Sequence, residues 1–132
     1  MNPESLRYTP THEWVYFEEQ NGQLIATVGL TQFAVESLTN LVFLELPKVG
    51  QHVQAGKPMG VVESIKAVSD IYSPVDGEVI EVNQPVVNEL DLLSRDPYGS
   101  GWLVKIRLAE NKEPEGLLDH KAYEAQCASE PQ

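Results

Sequence analysis

Turn residues cut the middle of this chain into segments whose length and composition fit β strands. Val49-Gly50, Ala55-Gly56 and Asp76-Gly77 fall at intervals typical of an all-β sandwich or barrel. Between them, residues 59–63 and 68–72 flank the four residues Ser64-Ile65-Lys66-Ala67. This predicts a hairpin over about 59–72 with Lys66 at or beside its tip. Pro74 stops the second arm, and residues 77–82 read as another strand.

The flanking sequence extends the same pattern. Residues 13–18 are aromatic and β-branched, and Asn21-Gly22 is a turn dipeptide leading into a strand over 23–28 that Gly29 closes. Thr31 suits the N-cap of a short helix over 32–38. Residues 41–46 are almost wholly apolar and predict a buried strand, ended by Pro47. Further on, Asn88 is expected to cap a helical turn over 89–93. Asp96-Pro97-Tyr98-Gly99 fits a type I turn, and 102–108 reads as a strand. Pro114 suggests the start of a helix over about 115–125, with 128–132 expected to fray. No Pro-rich or Gly/Ser-rich linker divides the chain, so residues 1–132 are expected to form one mainly β domain with short flanking helices.

Charge and composition narrow the function. Twenty Asp and Glu stand against nine Lys and Arg, a net charge of −11. Such a surface is repelled by nucleic acid and by anionic membranes, and no apolar run reaches the roughly 20 residues of a membrane-spanning helix. The opening Met-Asn-Pro-Glu-Ser-Leu-Arg has the pattern of neither a signal nor a transit peptide. Cys127 is the sole cysteine and cannot close an internal disulfide, which favours a reducing compartment; the bacterial cytoplasm is expected, with a processed organellar protein as the alternative. His12, His52 and His120 lack metal-ligand spacing, and one cysteine gives no zinc cluster, so no metal site is expected. A Cys127–His nucleophile pair would stand five residues from a polar terminus, a poor platform for catalysis. No nucleotide loop or nucleophile elbow is present.

The informative stretch is Glu63-Ser64-Ile65-Lys66-Ala67. A lysine at a hairpin tip is commonly a solvated residue that discourages edge-to-edge pairing. Here small neighbours leave room for a modifying enzyme, and Glu63 offers an anionic contact. Acylating the ε-amine would remove one positive charge and create a long tethered arm.

At this stretch the sequence closely resembles the H proteins of the glycine cleavage system. The resemblance runs through Tyr8-Thr-Pro-Thr-His-Glu-Trp-Val15, Val28-Gly-Leu-Thr31, Val42-Phe-Leu-Glu-Leu-Pro47 and Val61-Val-Glu-Ser-Ile-Lys-Ala67. It continues through Ser69-Asp-Ile-Tyr-Ser-Pro74, Gly77-Glu-Val-Ile-Glu-Val-Asn83, Asp96-Pro-Tyr-Gly99 and Gly101-Trp102, covering roughly residues 6–125. It implies a lipoyl/biotinyl-type barrel-sandwich hybrid of two sheets and a covalent lipoate on Lys66. By the same resemblance, Glu63, Gly50 and Gly77 serve recognition by lipoyl-attaching enzymes, and Thr11, Glu13 and Asp70 line a cleft for the loaded arm. The two glycines also read as turn residues shaping the hairpin. The implied role is that of a monomeric, non-catalytic carrier of an aminomethyl group. Its partners would be a pyridoxal-phosphate glycine decarboxylase, a folate-dependent aminomethyltransferase and dihydrolipoyl dehydrogenase. Ile65 stands where valine is usual, and Asn40 where an acid is frequent; neither touches the attachment chemistry. Alternatives are a biotinyl domain, a 2-oxoacid dehydrogenase lipoyl domain, a lipoate relay protein, or an acidic β interaction module with an unmodified Lys66.

Overall fold

The computed structural model describes residues 1–130. Nine strands form two antiparallel sheets. In chain order, β1 (Arg7–Tyr8), β2 (Glu13–Gln20) and β3 (Gln23–Leu30) are followed by helix α1 (Gln32–Leu38). Next come β4 (Leu41–Glu45), β5 (His52–Val53), β6 (Pro58–Ser64), β7 (Val68–Tyr72) and β8 (Gly77–Val82). Helices α2 (Gln84–Asn88) and α3 (Asp91–Arg95), strand β9 (Val104–Leu108) and helix α4 (His120–Ser129) complete the order. One sheet runs β1-β2-β3-β9-β8-β5 and the other β4-β6-β7. This is the mainly β, two-sheet architecture expected of a barrel-sandwich.

Alternation along the strands sorts side chains between two cores. The main core takes Val15 from β2, Val28 from β3, Leu44 from β4, Val62 from β6, Ile71 from β7 and Ile106 from β9, so it lies between the sheets. Burying each such side chain contributes about 1.5–3 kcal/mol. A second cluster of Leu6, Tyr8, Trp14 and Tyr123 holds α4 against β1 and β2. Trp14 donates from Nε1 to the Pro97 carbonyl at 2.9 Å, and its indole occupies the space above Gly29, its cross-strand partner. Gly29 therefore does not close β3, which continues to Leu30; the missing Cβ is what admits the indole.

Several boundaries differ from the sequence reading. Residues 41–45 form an edge strand of the small sheet, with Val42 57% exposed and Phe43 also exposed; only Leu44 of β4 is buried. The helical turns near 89 begin earlier, with Pro85 in the first turn of α2. Asn88 ends that helix, and Asn83 spends its side-chain amide on the Ser100 and Trp102 carbonyls. The last helix starts at His120, capped by Asp119, whose Oδ1 accepts from Ala122 N–H at 2.8 Å. Residues 114–118 do not join it. Gly116 takes φ +91°, and Leu118 pairs with Tyr8 through two backbone hydrogen bonds. Residues 128 and 129, expected to fray, belong to α4; positions 131 and 132 lie outside the described residues.

Gly77 is a strand residue of β8 and not a turn glycine. A Cβ there would collide with the Arg107 backbone carbonyl across the ladder and with Ile106. Gly50 is a turn residue at φ +92° with open space around it. Gly77→Ala is therefore expected to cost about 3 kcal/mol through forced strand separation, whereas Gly50→Ala costs about 1 kcal/mol from left-handed backbone strain. Urea denaturation of the two variants measures the difference, and equal losses would contradict the collision.

Candidate functional site: the Lys66 hairpin and the Glu13 cleft

The β6–β7 hairpin closes on small residues. Ser64 N–H donates to the Ala67 carbonyl at 2.8 Å, and Ala67 N–H donates to Ser64 Oγ at 3.1 Å. This pair of bonds leaves Ile65 and Lys66 as the outermost residues. Ile65 N–H is anchored to the Asn40 carbonyl at 3.2 Å, where Asn40 adopts φ +40°, a conformation asparagine tolerates better than most residues. Lys66 is exposed and has no hydrogen-bond or ion-pair partner among the described residues. Its amine is thus displayed on a hydrogen-bonded turn with small neighbours, a geometry that fits amide formation with a carboxylic acid cofactor such as lipoate.

Around the tip the surface is apolar. Ile65 is 77% exposed, and Val68 together with Val42 and Phe43 of the adjacent β4 continues the patch. Glu63 is half-buried in β6, opposite Phe43 and Val68. Gly50 and Gly77 belong elsewhere. Gly50 N–H donates to the Val79 carbonyl of β8 at 2.7 Å, and Gly77 opens β8 between β9 and β5, so both glycines belong to the six-stranded sheet. They shape that part of the sheet and not the hairpin, contrary to their reading as hairpin-turn residues.

Thr11, Glu13 and Asp70 do come together. They line one cleft of about 270 Å³ with His12, Phe33 and Leu38. Thr11 ends the turn before β2, Glu13 opens that strand, and Asp70 projects from β7. Glu13 is 1% exposed. Its Oε1 accepts from Thr9 Oγ1 at 2.6 Å and Thr11 Oγ1 at 2.5 Å, and its Oε2 accepts from Tyr72 N–H at 3.2 Å. This carboxylate therefore ties β2 of the large sheet to β7 of the small one. Burial pushes the Glu13 carboxyl above its ordinary value, and the hydroxyl and amide donors pull in the opposite direction. Asp70 is exposed at the rim of the same cleft. Asp70 is four positions on from Lys66, so their Cα atoms are no more than about 14 Å apart. A lipoyl-lysine arm has comparable length.

Sequence reading missed Thr9, which supplies a donor to Glu13, and the cleft walls His12, Phe33 and Leu38. Residues 33 and 38 fall within the expected helix over 32–38, but nothing local tied that helix to β7. His12 takes φ +74°, unusual for a residue with a Cβ.

Comparison with known proteins agrees with this architecture. The family profile described as Glycine cleavage H-protein matches residues 6–130. A glycine cleavage system H protein from Thermobifida fusca is 51% identical over 121 residues, covering 92% of this chain and 91% of the relative. Another from Rhodopirellula baltica is 46% identical over 127 residues, covering 96% of each. The crystal structure of a glycine cleavage system H protein from Mycobacterium marinum superposes with a TM-score of 0.85 at 38% identity, covering 96% of this chain and 99% of that one. The chain belongs to the glycine cleavage H-protein family.

Proposed function

We propose that this protein is a lipoyl carrier of glycine cleavage, acylated on Lys66 and without turnover of its own. One observation carries the reading. The chain of an H-protein family member displays an amine without a partner among the described residues at a hydrogen-bonded hairpin tip, within an arm's length of a cleft lined by two carboxylates. When bound, the lipoyl group supplies a disulfide that takes up the aminomethyl unit of glycine and is afterwards reoxidised. The protein's own residues position and shelter it. Lys66 tethers the arm, and the Ser64–Ala67 hydrogen bonds fix the direction in which it leaves. Thr11, Glu13 and Asp70 receive a cationic amine, whose arrival favours the ionised form of Glu13. Phe33 and Leu38 on α1 exclude water from one side of the cleft.

The proposed partners are a pyridoxal-phosphate glycine decarboxylase, a folate-dependent aminomethyltransferase and dihydrolipoyl dehydrogenase. Glu63, Gly50 and Gly77 are proposed to serve the lipoyl-attaching enzymes, and the protein to act as a monomer in a bacterial cytoplasm. Reconstitution with the three partner enzymes tests the role. Glycine-dependent CO₂ release that requires this lipoylated chain is the expected result, and release at the same rate without it would refute the reading.

A net charge of −11 implies that docking uses basic surfaces of the partners. The association rate with the decarboxylase, followed by stopped flow, should therefore fall by about tenfold or more between low and high salt as screening shortens the Debye length. A rate independent of salt would count against electrostatic steering.

A further inference from the structure

Helix α4 carries Tyr123 and Cys127 four residues apart on one face, and Glu130 is the extended residue that caps its C-terminus. That face packs against the turn preceding β2, where Gln126 Nε2 donates to the Pro10 carbonyl at 2.9 Å. His12 is thereby brought beside side chains more than a hundred positions away in sequence. A ligand atom from each of His12, Cys127 and Glu130 lies within 4.8 Å of the other two, and all three residues are half-buried.

We propose that His12, Cys127 and Glu130 form a binding site for one borderline-soft divalent cation of the zinc class, with an open fourth position for water. The donor set of imidazole, thiolate and carboxylate suits such an ion. Tetrahedral coordination with bonds of roughly 2.0–2.3 Å puts ligand atoms about 3.3–3.8 Å apart. His12 Nε2 and Glu130 Oε2 are already 3.2 Å apart, about the spacing of two ligands of one ion, with the Cys127 sulfur within 4.8 Å of both.

The imidazole is held as a ligand is held. Its Nδ1 lies 2.7 Å from Tyr123 Oη, which is 2.6 Å from Thr31 Oγ1, and its ring stacks on Phe33 at 4.7 Å. Outer hydrogen bonds of this kind fix the orientation and tautomer of metal-bound histidines. In the neutral tautomer with its proton on Nε2, that N–H donates to Glu130 and the Tyr123 hydroxyl donates to Nδ1. With a cation bound, the ring proton resides on Nδ1 and donates to Tyr123 Oη, whose own proton turns to Thr31. The Cys127 thiol proton leaves to solvent, and the imidazole keeps its single proton. The φ of +74° at His12 is backbone strain at a ligand position. No local spacing marks a metal motif, because His12 and the Cys127–Glu130 pair come from opposite ends of the chain.

His12 and Glu130 also line the Glu13 cleft, so the site is tested without the arm, by a readout that does not depend on the carrier reading. The full chain bearing Lys66→Arg, with no lipoyl dithiol to compete, is titrated with Co²⁺ and then with Zn²⁺. One Co²⁺ per chain with a thiolate-to-cobalt charge-transfer band is expected, and Zn²⁺ should displace it. Adding Cys127→Ser should abolish the band, and adding His12→Asn, which tolerates the left-handed backbone, should abolish one-to-one binding. Tyr123→Phe should weaken Zn²⁺ by about 10–100-fold. Co²⁺ bound without the band, or Zn²⁺ affinity unchanged by either Cys127→Ser or His12→Asn, would overturn the proposal.

Discussion

Lys66→Arg is expected to abolish lipoylation and reduce carrier activity to background while leaving the fold intact. Arginine keeps the positive charge and most of the side-chain volume, but its guanidinium is not an acylatable amine under these conditions. Lys66 is exposed and makes no hydrogen bond or ion pair among the described residues, so its replacement removes no interaction from the folded state. The change in unfolding free energy should stay within about 0.5 kcal/mol, as for other surface substitutions. Intact mass and a glycine-dependent assay read the two effects separately. Lipoyl modification persisting on the variant would sink the assignment of Lys66, and loss of the fold would mean that the hairpin tip has a structural role its contacts do not reveal.

Glu13→Ala should have the second largest effect, on both stability and shelter. Removing the carboxylate leaves Thr9, a buried residue, and the Tyr72 N–H without their acceptor. Each unsatisfied buried group costs about 1–3 kcal/mol, and the tie between the sheets is lost as well. This penalty depends on pH. Burial raises the Glu13 carboxyl above its ordinary 4.5 in the fold, so the folded state holds the proton more tightly than the unfolded chain. The stability from that raised value is fully present below 4.5 and is lost as pH rises through the folded value. The difference between wild type and variant should therefore shrink across that window, and a difference that grew with pH would contradict the direction. For the carrier itself, spontaneous ammonia loss from the loaded protein should accelerate by about fivefold, equivalent to roughly 1 kcal/mol of lost pairing. Asp70→Asn separates charge from packing, since Asp70 is exposed at the rim. It should accelerate the loss with little change in stability. Equal decay rates in all three proteins would show that the cleft plays no sheltering part.

The hairpin could be read from sequence because its determinants are local. Ser64 and Ala67 close the turn through their own backbone and hydroxyl groups, and the arms on either side are short and β-branched. The cap of α1 was equally local, since Thr31 Oγ1 accepts from Ala34 N–H three residues on. Misread elements depended on distant partners. Residues 41–46 look buried by composition, but β4 lies at an edge of a three-stranded sheet, where a register shift leaves the adjacent Val42 and Phe43 exposed. Pro114 looks like a helix start, yet Gly116 turns at φ +91° and Leu118 is engaged by Tyr8, which keeps the segment out of the helix.

The cleft follows the same rule. Thr11, Glu13 and Asp70 were singled out through family resemblance, and the fold brings them together. The burial of Glu13 could not be read locally, because the Tyr72 N–H that it accepts lies 59 positions away. Gly77 was singled out for one reason and has a second. Its missing Cβ admits the Arg107 carbonyl, so any effect of replacing it on lipoylation must be weighed against damage to the sheet.

The most direct measurement of the central claim is the intact mass and peptide map of this protein purified from lipoate-replete cells. The account predicts one lipoyl increment per chain, located on the peptide containing Lys66 and absent from the peptides containing the other lysines. A chain that carries no increment under those conditions, or carries it on a different lysine, would contradict it.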